Sequence, residues 1–312
     1  MRKRTSVRTR LSQLATEQSN PVSADLDQKS SLEIARIINA EDAKVAAAVK
    51  RALPQIAEAI DLIANSLRKG GRLIYIGTGT SGRIAALDAA ECPPTFNTDP
   101  NAVQFIIAGG PRALESAVES NEDSATLGES EIARRKPGKN DVVVGIAASG
   151  RTPFTIAAIR YSRRKGAKTI AVVCNRNSEL EKAADVGILV ETGPEVVSGS
   201  TRMKAGTAQK MVLNMLSSGA MTRLGYVYGN LMVNVRPKNQ KLAARAATIL
   251  ERAANIPNAK AKKALKASNG SVPAALVMLH TGVRSSEAEE ALKSVGGNVR
   301  QAIARAQRDS QE

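Results

Sequence analysis

The spacing of apolar residues changes twice along the chain. From Leu32 to Leu67 they recur every three or four positions, through Ile34, Ile37, Ile38, Val45, Ala48, Val49, Leu53, Ile56, Ile60 and Ile63. That is the spacing of one buried helix face. Pro54 falls inside the stretch and lacks the amide a helix interior needs, so it predicts a kink or the start of a second helix. The pattern then shortens to continuous apolar runs at Arg72–Gly77, Val103–Ala108, Asp141–Ala148, Lys168–Cys174 and, more weakly, Val186–Val190. Runs of this length read as strands buried on both faces. Helical stretches separate them, and alternating β and α elements predict an α/β fold, a doubly wound parallel sheet flanked by helices.

Helical spacing returns in a long segment from about Thr201 to Leu224 and again from about Gln240 to Ala254. Beyond Pro257 the pattern predicts three or four short amphipathic helices with their own apolar set, including Leu265, Val272, Leu276, Val277, Leu279, Leu292 and Ile303. The expected organisation is a mobile basic arm over 1–20, a sheet domain with its N-terminal helices over 21–255, and a small helical C-terminal appendage over 256–312. There is no internal repeat.

Composition refines this picture. Aromatic residues make up only 2% of the 312 positions and tryptophan is absent, so the core rests on Ala, Val, Ile and Leu. No apolar stretch approaches the roughly 18 residues a membrane span requires. The N-terminus is basic, but no hydrophobic run follows it, which argues against a secretory signal. Two cysteines, Cys92 and Cys174, cannot build a disulfide framework, and a reducing cytoplasm is the expected compartment. The formal charge of +16 attracts anions. It is dispersed, however, over five residues of the first ten, a run at Arg160, Arg163, Arg164 and Lys165, and another at Lys260, Lys262, Lys263 and Lys266. That dispersal fits solvated helix faces and general anion steering better than a nucleic-acid partner.

Ligands of doubly wound sheets bind beyond the carboxyl ends of the strands. Three hydroxyl-rich loops are expected there: Gly77-Thr-Gly-Thr-Ser-Gly-Arg83, Ala148-Ser-Gly-Arg-Thr152 and Ser198-Gly-Ser-Thr-Arg-Met-Lys204. Each puts Ser or Thr and Gly at a helix N-terminus. Unpaired first-turn amides carry partial positive charge, and glycine lets an anion approach them. One such loop is an ordinary N-cap. Three at one sheet edge point to phosphate binding. Thr78, Thr80, Ser81, Ser149, Gly150, Arg151, Thr152, Ser198, Ser200, Thr201 and Lys204 are the candidate contacts, with Arg202 beside them. The first loop matches G-x-G-x-x-G, but the second strand ends in Gly109-Gly110 where a dinucleotide site needs a carboxylate. No G-K-[ST] closes the loop as a Walker motif would.

Two acidic segments lie near the same edge. In Leu87-Asp-Ala-Ala-Glu-Cys-Pro-Pro-Thr-Phe96 a helix is expected to end at Glu91-Cys92, with Pro93-Pro94 fixing its exit. A carboxylate at a helix C-terminus holds its proton more readily than an exposed one. The other segment is Ala117-Val-Glu-Ser-Asn-Glu-Asp-Ser124.

These segments, together with Val144–Pro153, Ser198–Lys210 and Tyr228–Val233, resemble the N-acetylmuramic acid 6-phosphate etherases, which carry a sugar isomerase (SIS) domain. The resemblance runs from about Ser19 through the C-terminal helices. It departs at Thr78, Ala90 and Asn234, and none of these removes a proposed catalytic group. It implies a lyase that uses no cofactor and no metal, acts on a sugar phosphate and pairs as a homodimer. It puts Glu91 and Glu122 in the catalytic acid and base positions, with Glu119 a weaker candidate. Separated carboxyl pKa values suit such acid–base work. The helix-end position favours Glu91 as the acid, and the reverse assignment stays open. The rival from another class is a regulatory SIS protein that senses sugar phosphates without catalysis. A DNA-binding version needs a helix-turn-helix before the sheet, and the first 70 residues show no clear recognition helix. An aldose–ketose isomerase is a further rival, against which the Ala90–Phe96 segment speaks.

Overall fold

Five parallel strands form the central sheet of the computed structural model, which describes residues 14–116, 121–235 and 240–309. They are β1 (Leu73–Gly77), β2 (Val103–Ile107), β3 (Val142–Ile146), β4 (Lys168–Val173) and β5 (Val186–Leu189), in the order β2-β1-β3-β4-β5. Every residue of β1 and β3 is buried, as a sheet covered by helices on both faces demands. β1 pairs with β2 on one side and β3 on the other, Gly77 lying opposite both Ile107 and Ile146. The order therefore reverses direction between β1 and β3. At such a switch point the connections leave to opposite faces and open a crevice above the strand ends.

Among the described residues, two α-helices precede the sheet, α1 (Ser31–Arg51) and α2 (Leu53–Arg68). Ser30 and Glu33 form a reciprocal capping box at the start of α1, which satisfies two orphan amides. The long apolar stretch breaks at Ala52, and Pro54 sits in the first turn of α2, where its missing N–H costs nothing. α3 (Gly79–Phe96) follows β1, α4 (Ala125–Arg134) precedes β3, and α5 (Pro153–Arg164) follows it. The short α6 (Glu179–Ala183) links β4 to β5, and α7 (Lys204–Arg223) comes after the sheet. A core built on Ile74, Ile76, Ile106, Val143, Phe154, Ile159 and Val173 fills the space between strands and helices.

The chain forms two compact units. One comprises the residues up to Ala89 with Asn101–Ser217, and the other Ala90–Pro100 with the residues from Ser218 on. The second holds a small antiparallel hairpin, β6 (Val227–Tyr228) and β7 (Leu231–Met232), turned through Gly229-Asn230. Five helices follow: α8 (Gln240–Ala254), α9 (Asn258–Ala267), α10 (Val272–Thr281), α11 (Ser285–Ser294) and α12 (Val299–Asp309). α8 shares one apolar core with the four helices after it, through Ala246, Leu250, Leu265, Val272, Leu276 and Val299. The apolar set read as the tail's own thus begins earlier, at Val233.

Of the arm expected over 1–20, the first thirteen residues lie outside the described residues. The remainder is tied down. Leu14 and Thr16 are buried, the Thr16 hydroxyl accepts from Asn175 Nδ2 at 3.1 Å, and Asn20 Nδ2 donates to Pro194 O at 3.2 Å. The run at Arg160–Lys165 is a solvated helix face, as its spacing suggested. Arg160, Arg163 and Arg164 pair with Glu179, Asp185 and Glu129.

Candidate active site

The loops after β1 and β3 flank the switch point, so two of the three hydroxyl-rich segments meet at the crevice. Thr78 and Ser81 are nearly buried, and Thr80 is half-exposed at the first turn of α3. Ser81 Oγ donates to Gln209 Oε1 at 2.9 Å. In the second loop, Ser149 Oγ accepts from Arg151 N at 3.2 Å, Arg151 is exposed, and Thr152 is the N-cap residue of α5 without its hydroxyl capping the helix. Gly150 has a φ of +65° and packs so closely on Ser178 that a side chain there would collide with it. Only glycine meets both demands.

Glu122 binds these two loops together. Its backbone carbonyl accepts from Phe154 N at 3.1 Å, in the first turn of α5. Its carboxylate faces the first loop, where a Cβ on Gly79 would stand 3.3 Å from Glu122 Oε1. Gly79 has a φ of +48°, so glycine both turns the chain and leaves room for the acid. The half-buried carboxylate thus stands at the N-terminal end of α3, where the helix dipole favours negative charge. Glu119 lies outside the described residues.

The third loop corrects the sequence expectation. The N-terminus of α7 is not an open anion site, because Glu195 fills it. Glu195 is fully buried, and its two carboxylate oxygens accept from Lys204 N and Ala205 N at 2.9 Å each. Lys204 is likewise no surface cation. It is 2% exposed, and its ammonium donates to Glu41 Oε2 at 2.7 Å. Glu41 also accepts from Lys44 and from Asn20 Nδ2. Burial alone would raise the Glu41 carboxyl, but the bonds from Lys204, Lys44 and Asn20 outweigh it and hold the group down at about 2. Ser198 is exposed, with its hydroxyl 3.4 Å from Gln18 O, while Ser200 and Thr201 are half-buried and Arg202 is exposed. α7 does meet the first loop two residues after Lys204. The methyl of Thr80 lies 3.4 Å from where a Cβ on Gly206 would be.

Glu91 belongs to the second unit and is exposed on α3. The helix does not end there as expected. It continues through Pro93 and Pro94 to Phe96 and closes where Asn97, at φ +50°, donates its N–H to Pro93 O at 2.9 Å. Glu91 therefore lies inside the helix and not at its C-terminus. Pro93 and Pro94 lack the N–H groups that would donate to the carbonyls of Ala89 and Ala90 one turn back.

Other polar groups escaped the sequence reading. Asp88 is 6% exposed and accepts from Tyr75 Oη, Ser217 Oγ and Asn214 Nδ2 at 2.9, 3.0 and 3.1 Å. Burial pushes its carboxyl up to about 6 despite those bonds and the nearby charge of Lys210. Cys92 and Cys174 are buried and form no disulfide with each other. Burial pushes the Cys174 thiol up to about 12, which leaves it no thiolate at neutral pH. His280 is exposed, its ring 6.0 Å from that of Tyr228.

Comparison with known proteins decides the family. Residues 136–218 match the SIS domain, and residues 55–163 match the glucokinase regulatory protein N-terminal SIS domain. An N-acetylmuramic acid 6-phosphate etherase of Streptomyces avermitilis is 49% identical over 303 residues, covering 97% of each chain. N-acetylmuramic acid 6-phosphate etherase 1 of Bacillus licheniformis is 47% identical over 293 residues, 94% of this chain and 96% of that one. The chain belongs to the N-acetylmuramic acid 6-phosphate etherase family. Among solved structures, a phosphoheptose isomerase from Francisella tularensis matches with a TM-score of 0.49 and 19% identity, over 62% of this chain and 100% of that one. Among the described residues, no helix is long and apolar enough to cross a membrane.

Proposed function

We propose that this protein cleaves the D-lactyl ether of N-acetylmuramic acid 6-phosphate, giving N-acetylglucosamine 6-phosphate and D-lactate. The observation that carries the reading is Glu122, whose carboxylate abuts Gly79 and whose carbonyl holds the first turn of α5. A base so placed reaches a sugar whose phosphate lies on the amides and hydroxyls of Thr78–Ser81 and Ser149–Thr152. In the open-chain aldehyde the carbonyl at C1 acidifies the C2 proton. Glu122 removes that proton, the C3–O bond breaks, and the lactate oxygen takes a proton from Glu91. Water then adds at C3 of the unsaturated aldehyde, so one water is consumed for each lactate released. The two carboxyl groups must differ in protonation state at the start.

The dispersed positive charge steers the anionic substrate, which carries both a phosphate and a lactyl carboxylate. The reading extends to a cytoplasmic enzyme of amino-sugar recycling that works as a homodimer. Incubating the purified protein with N-acetylmuramic acid 6-phosphate and assaying D-lactate tests it. Release is expected, with Glu91→Gln and Glu122→Gln each slowing it by roughly 10² to 10⁴. The match to the regulatory protein's SIS domain favours a second reading, binding without chemistry. Sugar-phosphate binding with no lactate formed would establish that reading instead.

A further inference from the structure

Gln209 lies on α7, is 1% exposed, and its Oε1 accepts the Ser81 hydroxyl proton at 2.9 Å. Its Nε2 is buried and meets no acceptor among the described residues. This arrangement spends the serine proton on the protein and leaves an amide donor unused, the costlier kind of orphan in a protein interior. Turning the amide over exchanges oxygen and nitrogen within the same outline. Nε2 then donates to Ser81 Oγ, and the Ser81 O–H is released to donate elsewhere. A phosphate on the Gly77–Arg83 loop offers only acceptors, so it selects the turned state. Thr80, one residue before Ser81, packs against Gly206, one turn before Gln209, so α3 and α7 are already in register for this relay.

We infer that Gln209 is a positioning residue of the phosphate site, whose reversible amide makes Ser81 a donor to the phosphate of the sugar. The inference rests on the phosphate reading of the β1 loop given above. Gln209 never touches the reacting carbon atoms, so its effect falls on binding and not on chemistry.

The variants discriminate by what each can donate. Glu in place of Gln209 accepts only, once ionised, and holds the Ser81 proton away from the ligand. Met neither donates nor accepts strongly. With N-acetylmuramic acid 6-phosphate at pH 8, Gln209→Glu is expected to raise KM roughly 10- to 100-fold, the size of a lost bond to a charged group. Its kcat is expected to stay within about threefold of the parent, as for lost uniform binding. Gln209→Met is expected to raise KM less, about 3- to 10-fold, since Ser81 keeps its proton but not its direction. In a Ser81→Ala background neither change should raise KM further, because the group they act through is gone. A merely structural glutamine would lower Tm without this split or this loss of additivity.

Unchanged KM in both Gln209 variants, or the same increments with Ser81→Ala, would overturn the relay. If Gln209→Glu does not fold, the Met variant and its Ser81→Ala partner decide alone. Ser81→Ala measured by itself separates the two levels. If it leaves KM unchanged, the phosphate reading of the loop fails. If it raises KM while the Gln209 variants do not, only the inference fails.

Discussion

Glu122 and Glu195 use the same physics to opposite ends. Each sets a carboxylate at the N-terminal end of a long helix, where amide dipoles favour negative charge. Glu195 is fully buried, and both oxygens are committed to the Lys204 and Ala205 amides of α7. Burial raises its carboxyl against those bonds and the charge of Lys204. Glu122 is half-buried, and its carboxylate stands over a glycine at the start of α3. One acid closes a helix end and stiffens the fold. The other stands half-buried beside the first residue of its helix, where the proposed mechanism uses it as a base. Residue type and local composition do not separate the two; burial does.

The largest expected effect breaks this comparison directly. Glu122→Gln should slow lactate release by roughly 10² to 10⁴ at nearly unchanged Tm. Glu195→Gln should do the reverse. An amide can accept from one helix N–H but must turn its NH2 away from the other, at a cost of about 1–3 kcal/mol, with kcat close to the parent's. Denaturant titration and turnover on the same two preparations provide the check. A stability loss in Glu122→Gln with normal turnover would make it a second structural cap.

Much of the architecture was legible because it depends on spacing. The five apolar runs became the five strands, and the break at Pro54 became the start of α2. The turns after β1 and β3 were legible as turns because Gly79 and Gly150 sit at positive φ, which glycine adopts without strain. What stayed hidden depends on partners distant in sequence. Nothing near Lys204 announces that Glu41, more than 160 positions earlier, takes its ammonium. Nothing in Gly193-Pro-Glu195 announces a cap for a helix nine residues on. The Gly229-Asn230 hairpin was passed over because strands of two residues carry no periodicity. α3 ran past Glu91 because Pro93 and Pro94 remove donors without forbidding helical φ.

The buried pair sharpens the same contrast with a stability readout. Lys204→Met strands Glu41, which is only 4% exposed, without its main cation. Breaking one partner of a buried pair costs about 3–5 kcal/mol. The urea midpoint should fall accordingly, while KM for the sugar phosphate stays within about threefold, because the ammonium points to Glu41 and not to the ligand. A large rise in KM at unchanged stability would restore Lys204 to the phosphate site. Replacing Lys204 and Glu41 together, by Met and Leu, should recover much of the loss, since apolar groups of similar volume substitute well for a buried pair.

Asp88 offers the smallest effect and the cleanest sign. Unlike Glu41, it accepts hydrogen bonds from the neutral side chains of Tyr75, Ser217 and Asn214. Its carboxyl is raised from 3.8 to about 6 in the folded protein. The native state therefore holds this proton more tightly than the unfolded chain. The stabilisation is fully present below about pH 4 and is lost as pH rises toward 6, by up to about 3 kcal/mol. Glu41 titrates in the opposite sense between 4.5 and about 2, overlapping only the foot of that window, and it does so in both proteins alike. Asp88→Asn cannot ionise, so its stability relative to the parent should grow in its favour between pH 4 and pH 6.5 and then level off. Urea unfolding of both proteins at half-unit steps measures that difference. A flat difference across the window would mean that these donors, together with the nearby charge of Lys210, hold Asp88 ionised against its burial.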